Sequence, residues 1–330
     1  MNLHLLLTKL VLISYLKIVG EKTRKQKNKI KHSILHMHKL IIKDLSKTYA
    51  NGVKALDKIS IEIENGLFGL LGPNGAGKSS LMRTLATLQE ADSGSAKINE
   101  IDIFQQPHEL RQVLGYLPQE FGVYPRISAE QLLDHLAILK GIIKSSERKE
   151  VVKYLLNKVN LYDQRKKSVK GFSGGMKQRI GIAQTLLGNP KLIIVDEPTA
   201  GLDPGERNRF YNLLADVGKE VIVILSTHIV DDVRELCTKM AIMNGGRIVY
   251  HGTPDEAMNT LQGKVYQKIV SRETLDAYAE KYQIISNKMV GGKPLIHIYS
   301  DTNPKNNFEE VKPNLEDVFF SKINTSHQLV

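Results

Sequence analysis

A single cysteine, Cys237, among 330 residues leaves the chain no partner for an internal disulfide and no thiolate cluster for a metal. It reads as a small buried hydrophobe, suited to a reducing compartment. Long apolar runs are missing too. The most apolar stretch, Leu3 to Val19, is broken by Lys9 and Lys17. Its longest uncharged piece after Lys9, Leu10 to Leu16, falls far short of the roughly 20 residues needed to span a bilayer. Positive charge follows this stretch instead of preceding it, and no small-residue cleavage site ends it, which argues against a secretory signal. Internal repeats and low-complexity tracts are absent. Negative charge is scarce in one place: residues 1–38 hold eight Lys/Arg against Glu21 alone, a net +7 of the chain's +11. The excess that would invite nucleic acid therefore belongs to a tail, and the body is only modestly basic. Three readings of this basic extension stand side by side. It can be an interfacial anchor with leucines in lipid and lysines on anionic headgroups, a disordered extension, or sequence upstream of a biological start at Met37. The last two are favoured, because the first strand pattern begins only at Leu40.

What is present is an α/β pattern. With 42% hydrophobic and 25% charged residues, the chain has material for one large α/β domain and a smaller one. Leu40 to Ile42 and the alternation Ile59, Ile61, Ile63 read as strands, closed by Asn65-Gly66. Leu67 to Leu71 is a continuous apolar run, as a strand buried on both faces would be. It enters a glycine-rich loop, after which Leu81, Leu85 and Leu88 recur at helical spacing. Between about 120 and 170 the character turns helical and polar. Ser128 to Gln131 has the form of a capping box, followed by an apolar stripe of Leu132, Leu133, Leu136 and Leu139. A second amphipathic helix is expected near Glu147 to Val159. Two more apolar runs, Leu192 to Val195 and Val221 to Leu225, end in polar residues that parallel strands would gather at one site. Residues 263–330 alternate strand-like pieces (Lys264 to Val270, Pro294 to Tyr299) with helical ones (Glu273 to Tyr282, Leu315 to Ser321).

Gly72-Pro73-Asn74-Gly75-Ala76-Gly77-Lys78-Ser79 fits the pattern G-x-x-x-x-G-K-[ST] and lies between an expected strand and an expected helix. Glycines let successive backbone N–H groups point at phosphates, the helix start adds its positive end, and Lys78 places a full charge between the outer phosphates. Ser79 offers its hydroxyl to magnesium. Further on, Leu192 to Val195 runs into Asp196 and Glu197, two carboxylates at one strand end. Asp196 is expected to hold the magnesium shell and Glu197 to act as general base on the attacking water.

Phe172-Ser173-Gly174-Gly175-Met176-Lys177-Gln178-Arg179 resembles the signature of the ABC transporter ATPases, usually Leu-Ser-Gly-Gly-Gln. Phe172 and Met176 depart from it in the manner of drug-exporter-like members, while the Ser-Gly-Gly core is intact. Ser173 reads as the cap of a helix whose N-terminus and two glycines form an anion site. In that family this site completes the ATP pocket of a second subunit. The resemblance also implies that Tyr49 stacks on adenine, that Ser80 joins the nucleotide contacts, and that Gln119 touches magnesium and reports nucleotide state. It further implies that Ala200-Gly201-Leu202-Asp203 crosses the dimer interface and that His228 holds the γ-phosphate and supports Glu197. It covers about residues 39–260, and Pro313 to Phe320 resembles the C-terminal segment of exporter-type members.

The implied fold is a P-loop NTPase α/β core with an N-terminal antiparallel β subdomain, an inserted helical subdomain at about 120–180 and a small C-terminal α+β appendix at 263–330. The implied function is an ATP-binding and ATP-hydrolysing subunit that uses ATP and Mg2+. It would dimerise with a second copy or close relative on the cytoplasmic face of the membrane and drive a separate permease, with export favoured. A soluble ABC ATPase acting on nucleic acid or ribosomes is the alternative. Only 95 positions separate Lys78 from Ser173, too few for the long coiled coil of repair-type members, and the chain carries one ATPase domain where translation-type members carry two. No nucleic-acid partner is therefore expected. A nucleotide sensor without turnover is a third class, disfavoured by the full set of acidic and histidine residues.

Overall fold

A computed structural model describes residues 37–119, 122, 126–199 and 202–324. Nearly all of the basic extension, and Ala200 and Gly201, lie outside the described residues.

Strands β1 (Lys39–Thr48) and β2 (Lys54–Glu64) form an antiparallel pair. β2 buries Ile59, Ile61 and Ile63 and exposes Lys58, Ser60 and Glu62, the period-two alternation of a sheet covered on one face. β3 (Gly66–Leu71) is buried along almost its whole length and leads through the phosphate loop into α1 (Lys78–Leu85). β4 (Ser93–Ile98) and β5 (Ile101–Asp102) return to the first sheet, whose order is β2-β1-β4-β5. α2 (Pro107–Val113) and β6 (Leu114–Leu117) follow.

The chain then leaves for the helical region. α3 (Ala129–Leu139) opens on the expected capping box, with the Ser128 hydroxyl accepting from the Gln131 amide and the Gln131 side chain accepting from the Ser128 amide. α4 (Ser145–Lys158) and α5 (Gly174–Thr185) pack against it around Leu132, Leu133, Leu155, Leu156 and Ile180. β7 (Leu192–Asp196), α6 (Pro204–Val217), β8 (Ile222–Thr227), α7 (Val230–Leu236), β9 (Lys239–Asn244) and β10 (Arg247–Gly252) complete the central sheet, ordered β10-β9-β3-β8-β7-β6. Every pairing in it is parallel except β9 with β10. The α/β P-loop architecture expected from the pattern is thus present, with Cys237 buried among the apolar side chains of one face of this sheet.

Beyond α8 (Pro254–Asn259) come β11 (Val265–Ile269), α9 (Leu275–Lys281), β12 (Gln283–Val290), β13 (Lys293–Tyr299), β14 (Glu309–Glu310) and α10 (Leu315–Asn324). The third sheet is antiparallel, in the order β12-β13-β11-β14. Leu315, Val318 and Phe319 of α10 enter the same apolar cluster as Val233 and Met240, so the C-terminal elements share a core with the central sheet.

The structure corrects the helix stripes in two places. Leu88 lies beyond the end of α1, after Thr87 turns the backbone to a φ of +56°, and is exposed. Leu139, the last residue of α3, is exposed past the end of the packed stripe, whose place is taken by Ala129 and Ala137.

Candidate functional site

In the central sheet β3, β8 and β7 are consecutive neighbours and parallel, so their carboxyl ends lie side by side. One end carries the phosphate loop, the next Thr227-His228, and the third Asp196-Glu197. Three stretches far apart in sequence therefore open onto one cleft of about 690 Å³. It is lined by Tyr49, Val53, Ala55, Asn74, Gly75, Ala76, Gly77, Lys78, Ser79, Ser80, Gln119, Glu197 and His228.

The loop's conformation depends on glycine at Gly77. Its φ is +102°, and a Cβ there would stand 2.2 Å from the Ala55 carbonyl oxygen. At the start of the loop the buried Lys78 ammonium donates to the Gly72 and Pro73 carbonyls at 2.7 and 3.1 Å. Burial pushes the Lys78 pKa below the ordinary lysine value, while the Glu197 and Asp196 carboxylates act in the opposite sense. An ammonium held between acidic groups and a phosphate-sized cavity is poised to exchange its carbonyl contacts for an anion.

Glu197 sits just past β7 with φ of +46°, a left-handed conformation that a glutamate adopts only under local constraint. Its amide donates to the Ser226 carbonyl at 3.0 Å, which fixes the backbone. Its carboxylate is held at both oxygens. Gln119 Nε2 donates to Oε2 at 3.1 Å, and His228 Nδ1 meets Oε1 at 3.2 Å. A carboxylate aimed in this way, beside the phosphate loop, has the placement of a general base.

Tyr49 reaches the cleft from the turn after β1. Its hydroxyl lies 2.9 Å from Ser80 Oγ and donates to Gln89 Oε1 at 3.1 Å. Gln89 in turn donates to the Ser80 carbonyl and to Thr84 Oγ1, so the ring is tied to α1. Sequence reasoning passed over Gln89, which lies in no motif. It also passed over Asp232, a fully buried carboxylate behind the strand ends.

Seven of the expected site residues do not line this cleft: Gly72, Pro73 and Asp196, and with them Ser173, Gly174, Gly175 and Asp203. Ser173 caps α5 by accepting from the Met176 amide at 3.2 Å, and the exposed Gly174 follows it. A Cβ on Gly175 would collide with the Glu206 carboxylate at 2.2 Å. Asp203 caps α6 through the Glu206 amide at 2.9 Å.

Residues 56–200 match the ABC transporter family profile. The chain is 34% identical over 266 residues to the probable multidrug ABC transporter ATP-binding protein YbhF of Escherichia coli, a match covering 76% of this chain and 46% of that protein. It therefore spans less than half of that relative's length. With the uncharacterized ABC transporter ATP-binding protein YxlF of Bacillus subtilis it shares 32% identity over 303 residues, covering 86% of this chain and 99% of the relative. The chain belongs to the ABC transporter ATP-binding proteins.

A solved structure of an ATP-binding subunit of an ABC transporter superposes with a TM-score of 0.60 at 28% identity, covering 67% of this chain and 92% of that one. The expected family and fold class hold. No helix among its described residues is long and apolar enough to cross a membrane. The residues of the ATP-binding protein also fit a magnesium ion. Asp196 is buried at the end of β7, next to the cleft-lining Glu197, and its Oδ1 has no hydrogen-bond partner among the described residues. An orphaned carboxylate oxygen is costly unless a cation or its water shell takes it up.

Proposed function

We propose that this chain hydrolyses ATP as one half of a two-site dimer and so drives a separate membrane-spanning permease from the cytoplasmic face, in the direction of export. The observation that carries the reading is the doubly held Glu197 carboxylate beside a phosphate loop that lacks the Ser173–Gly175 helix start. The base and phosphate cradle lie together within one chain, while Ser173, Gly174 and Gly175 do not line that chain's own cleft. A second copy, or a close relative, supplies what is missing.

ATP enters with its base against Tyr49 and its phosphates against the loop amides and Lys78, with Ser80 beside them. Ser79, Gln119 and Asp196 would hold magnesium, which when bound neutralises phosphate charge that Lys78 leaves uncompensated. Glu197 then takes a proton from the water that attacks the γ-phosphorus. His228 keeps Glu197 aimed and donates toward the γ-phosphate, and Gln119 restrains the other carboxylate oxygen. Ser173, Gly174 and Gly175 of the partner close over the same phosphates, and Asp203 lies at the crossing between subunits. Loss of phosphate removes the charge that both faces share, the dimer opens, and the helical region passes the movement to the permease. Export is favoured by the Phe172 and Met176 signature variant and by the multidrug relative.

Two measurements test this. Glu197→Gln is expected to retain ATP, accumulate a closed dimer in size-exclusion chromatography and lower turnover by roughly 10²-fold or more. Unchanged turnover would remove Glu197 from its role. In the wild-type chain, turnover per molecule should rise with protein concentration. A rate that stays constant down to the dilution where only monomer remains would overturn the shared-site mechanism.

A further inference from the structure

Asp232 lies in the first turn of α7 and is fully buried. A buried carboxylate costs several kcal/mol unless its oxygens are satisfied. No Lys or Arg forms an ion pair with it among the described residues. Three hydroxyl groups take that place. Thr199 Oγ1 donates to Oδ2 at 2.6 Å, Thr227 Oγ1 donates to the same oxygen at 3.0 Å, and the Tyr211 hydroxyl donates to Oδ1. All three donors are themselves buried. Burial and this acceptor push the Tyr211 hydroxyl far above the ordinary tyrosine pKa, so it remains a donor at any working pH.

The positions of two of these donors give the cluster its meaning. Thr199 stands two residues after Glu197, and Thr227 immediately precedes His228. Thr227 also accepts from the Ile229 amide at 2.9 Å, so the backbone on both sides of His228 is fixed to one hydroxyl. The Glu197 backbone is held in its left-handed conformation by the Ser226 carbonyl on one side and by the anchored Thr199 on the other. One carboxylate oxygen thus clamps the ends of β7 and β8, and those ends carry the two partners of the 3.2 Å contact between His228 and Glu197.

We infer that Asp232 is a positioning residue for hydrolysis: through Thr199 and Thr227 it holds Glu197 and His228 in register for the attacking water. This rests on the assignment of Glu197 and His228 as the hydrolytic pair. It predicts a loss confined to turnover, because Asp232 touches neither the phosphate loop nor Tyr49.

The test uses the full chain, steady-state ATP turnover, titration with a fluorescent ATP analogue and thermal melting. Asp232→Asn, close in shape but deprived of the charged acceptor, is expected to lower kcat by roughly 10- to 100-fold. KM and analogue affinity should shift by less than about twofold, because the loop amides, Lys78 and Tyr49, which carry most of the nucleotide contacts, are not touched by the clamp, whereas kcat depends on the aim of Glu197. Thr227→Val should show the same split to a smaller degree, and Thr227→Ser should retain more of kcat than Thr227→Val. If Asp232→Asn melts below the assay temperature, the Thr227 pair decides by the same criterion. Unchanged kcat, or affinity lost in step with kcat, overturns the inference. Glu197→Gln measured in parallel separates the two levels: if it turns over normally, the assignment of the pair fails, whereas a silent Asp232→Asn beside an inactive Glu197→Gln sinks only the clamp.

Discussion

At the scale of single residues, backbone conformation governs the site as much as side-chain chemistry. Gly77 combines a positive φ with a carbonyl oxygen where a Cβ would sit. Gly77→Ala is therefore expected to displace the loop and weaken binding of a fluorescent ATP analogue by at least about tenfold, with a stability loss on the order of 1–3 kcal/mol in denaturant titration. Glu197 carries the same kind of strain without being glycine, and only its anchored neighbours sustain it. Lys78, Ser79, Asp196 and Glu197 could be singled out from sequence because the stretches carrying them are continuous and their chemistry is local. The tie from Gln89 to Tyr49 spans 40 positions and the one from Asp232 to Thr199 spans 33. Such contacts leave no periodicity and no motif, so nothing in the linear order pointed to them.

At the scale of elements, helix starts were the most legible feature. The capping box at Ser128 depends on residues three apart, and the structure has both of its hydrogen bonds. Ser128→Ala is expected to cost about 1 kcal/mol, read from the midpoint of urea unfolding. Strands were harder to see. β4 and β12 were missed because their side chains are mostly exposed or polar and give no apolar alternation. β6 is too short to show a period. The C-terminal elements depend on a buried acid. Asp317 on α10 accepts from His297 Nδ1 at 2.8 Å, from Ser286 at 3.1 Å and from the Asn314 amide at 3.0 Å. Burial raises its carboxyl pKa, but these hydrogen bonds more than offset that, and the net shift is downward. A depressed carboxyl stabilises the fold fully above the unfolded value of about 3.9 and loses that contribution as pH falls through the lower folded value. Melting followed by the aromatic signal of Tyr278, Tyr282 and Phe308 should show the acid-induced loss only below about pH 4. Asp317→Asn should lower stability at neutral pH by about 2 kcal/mol and flatten the acid limb.

For the molecule as a whole, the two apolar clusters on either face of the central sheet hold the phosphate loop, the acidic strand end and the switch strand in one body. Removing magnesium with a chelator is expected to abolish hydrolysis while leaving the far-UV spectrum intact, because the fold draws on those clusters and not on the metal; unfolding on chelation would contradict this. The order of strands also sets when the site can exist. Gly66 of β3 pairs with Ile222 of β8, and Leu71 with Thr227, so the phosphate strand waits for a neighbour made more than 150 residues later. On the ribosome the loop sequence emerges early yet has no rigid sheet beneath it until the His228 segment leaves the exit tunnel. A nascent chain halted before Ile222 would carry the whole nucleotide motif on a strand that still lacks its β8 neighbour.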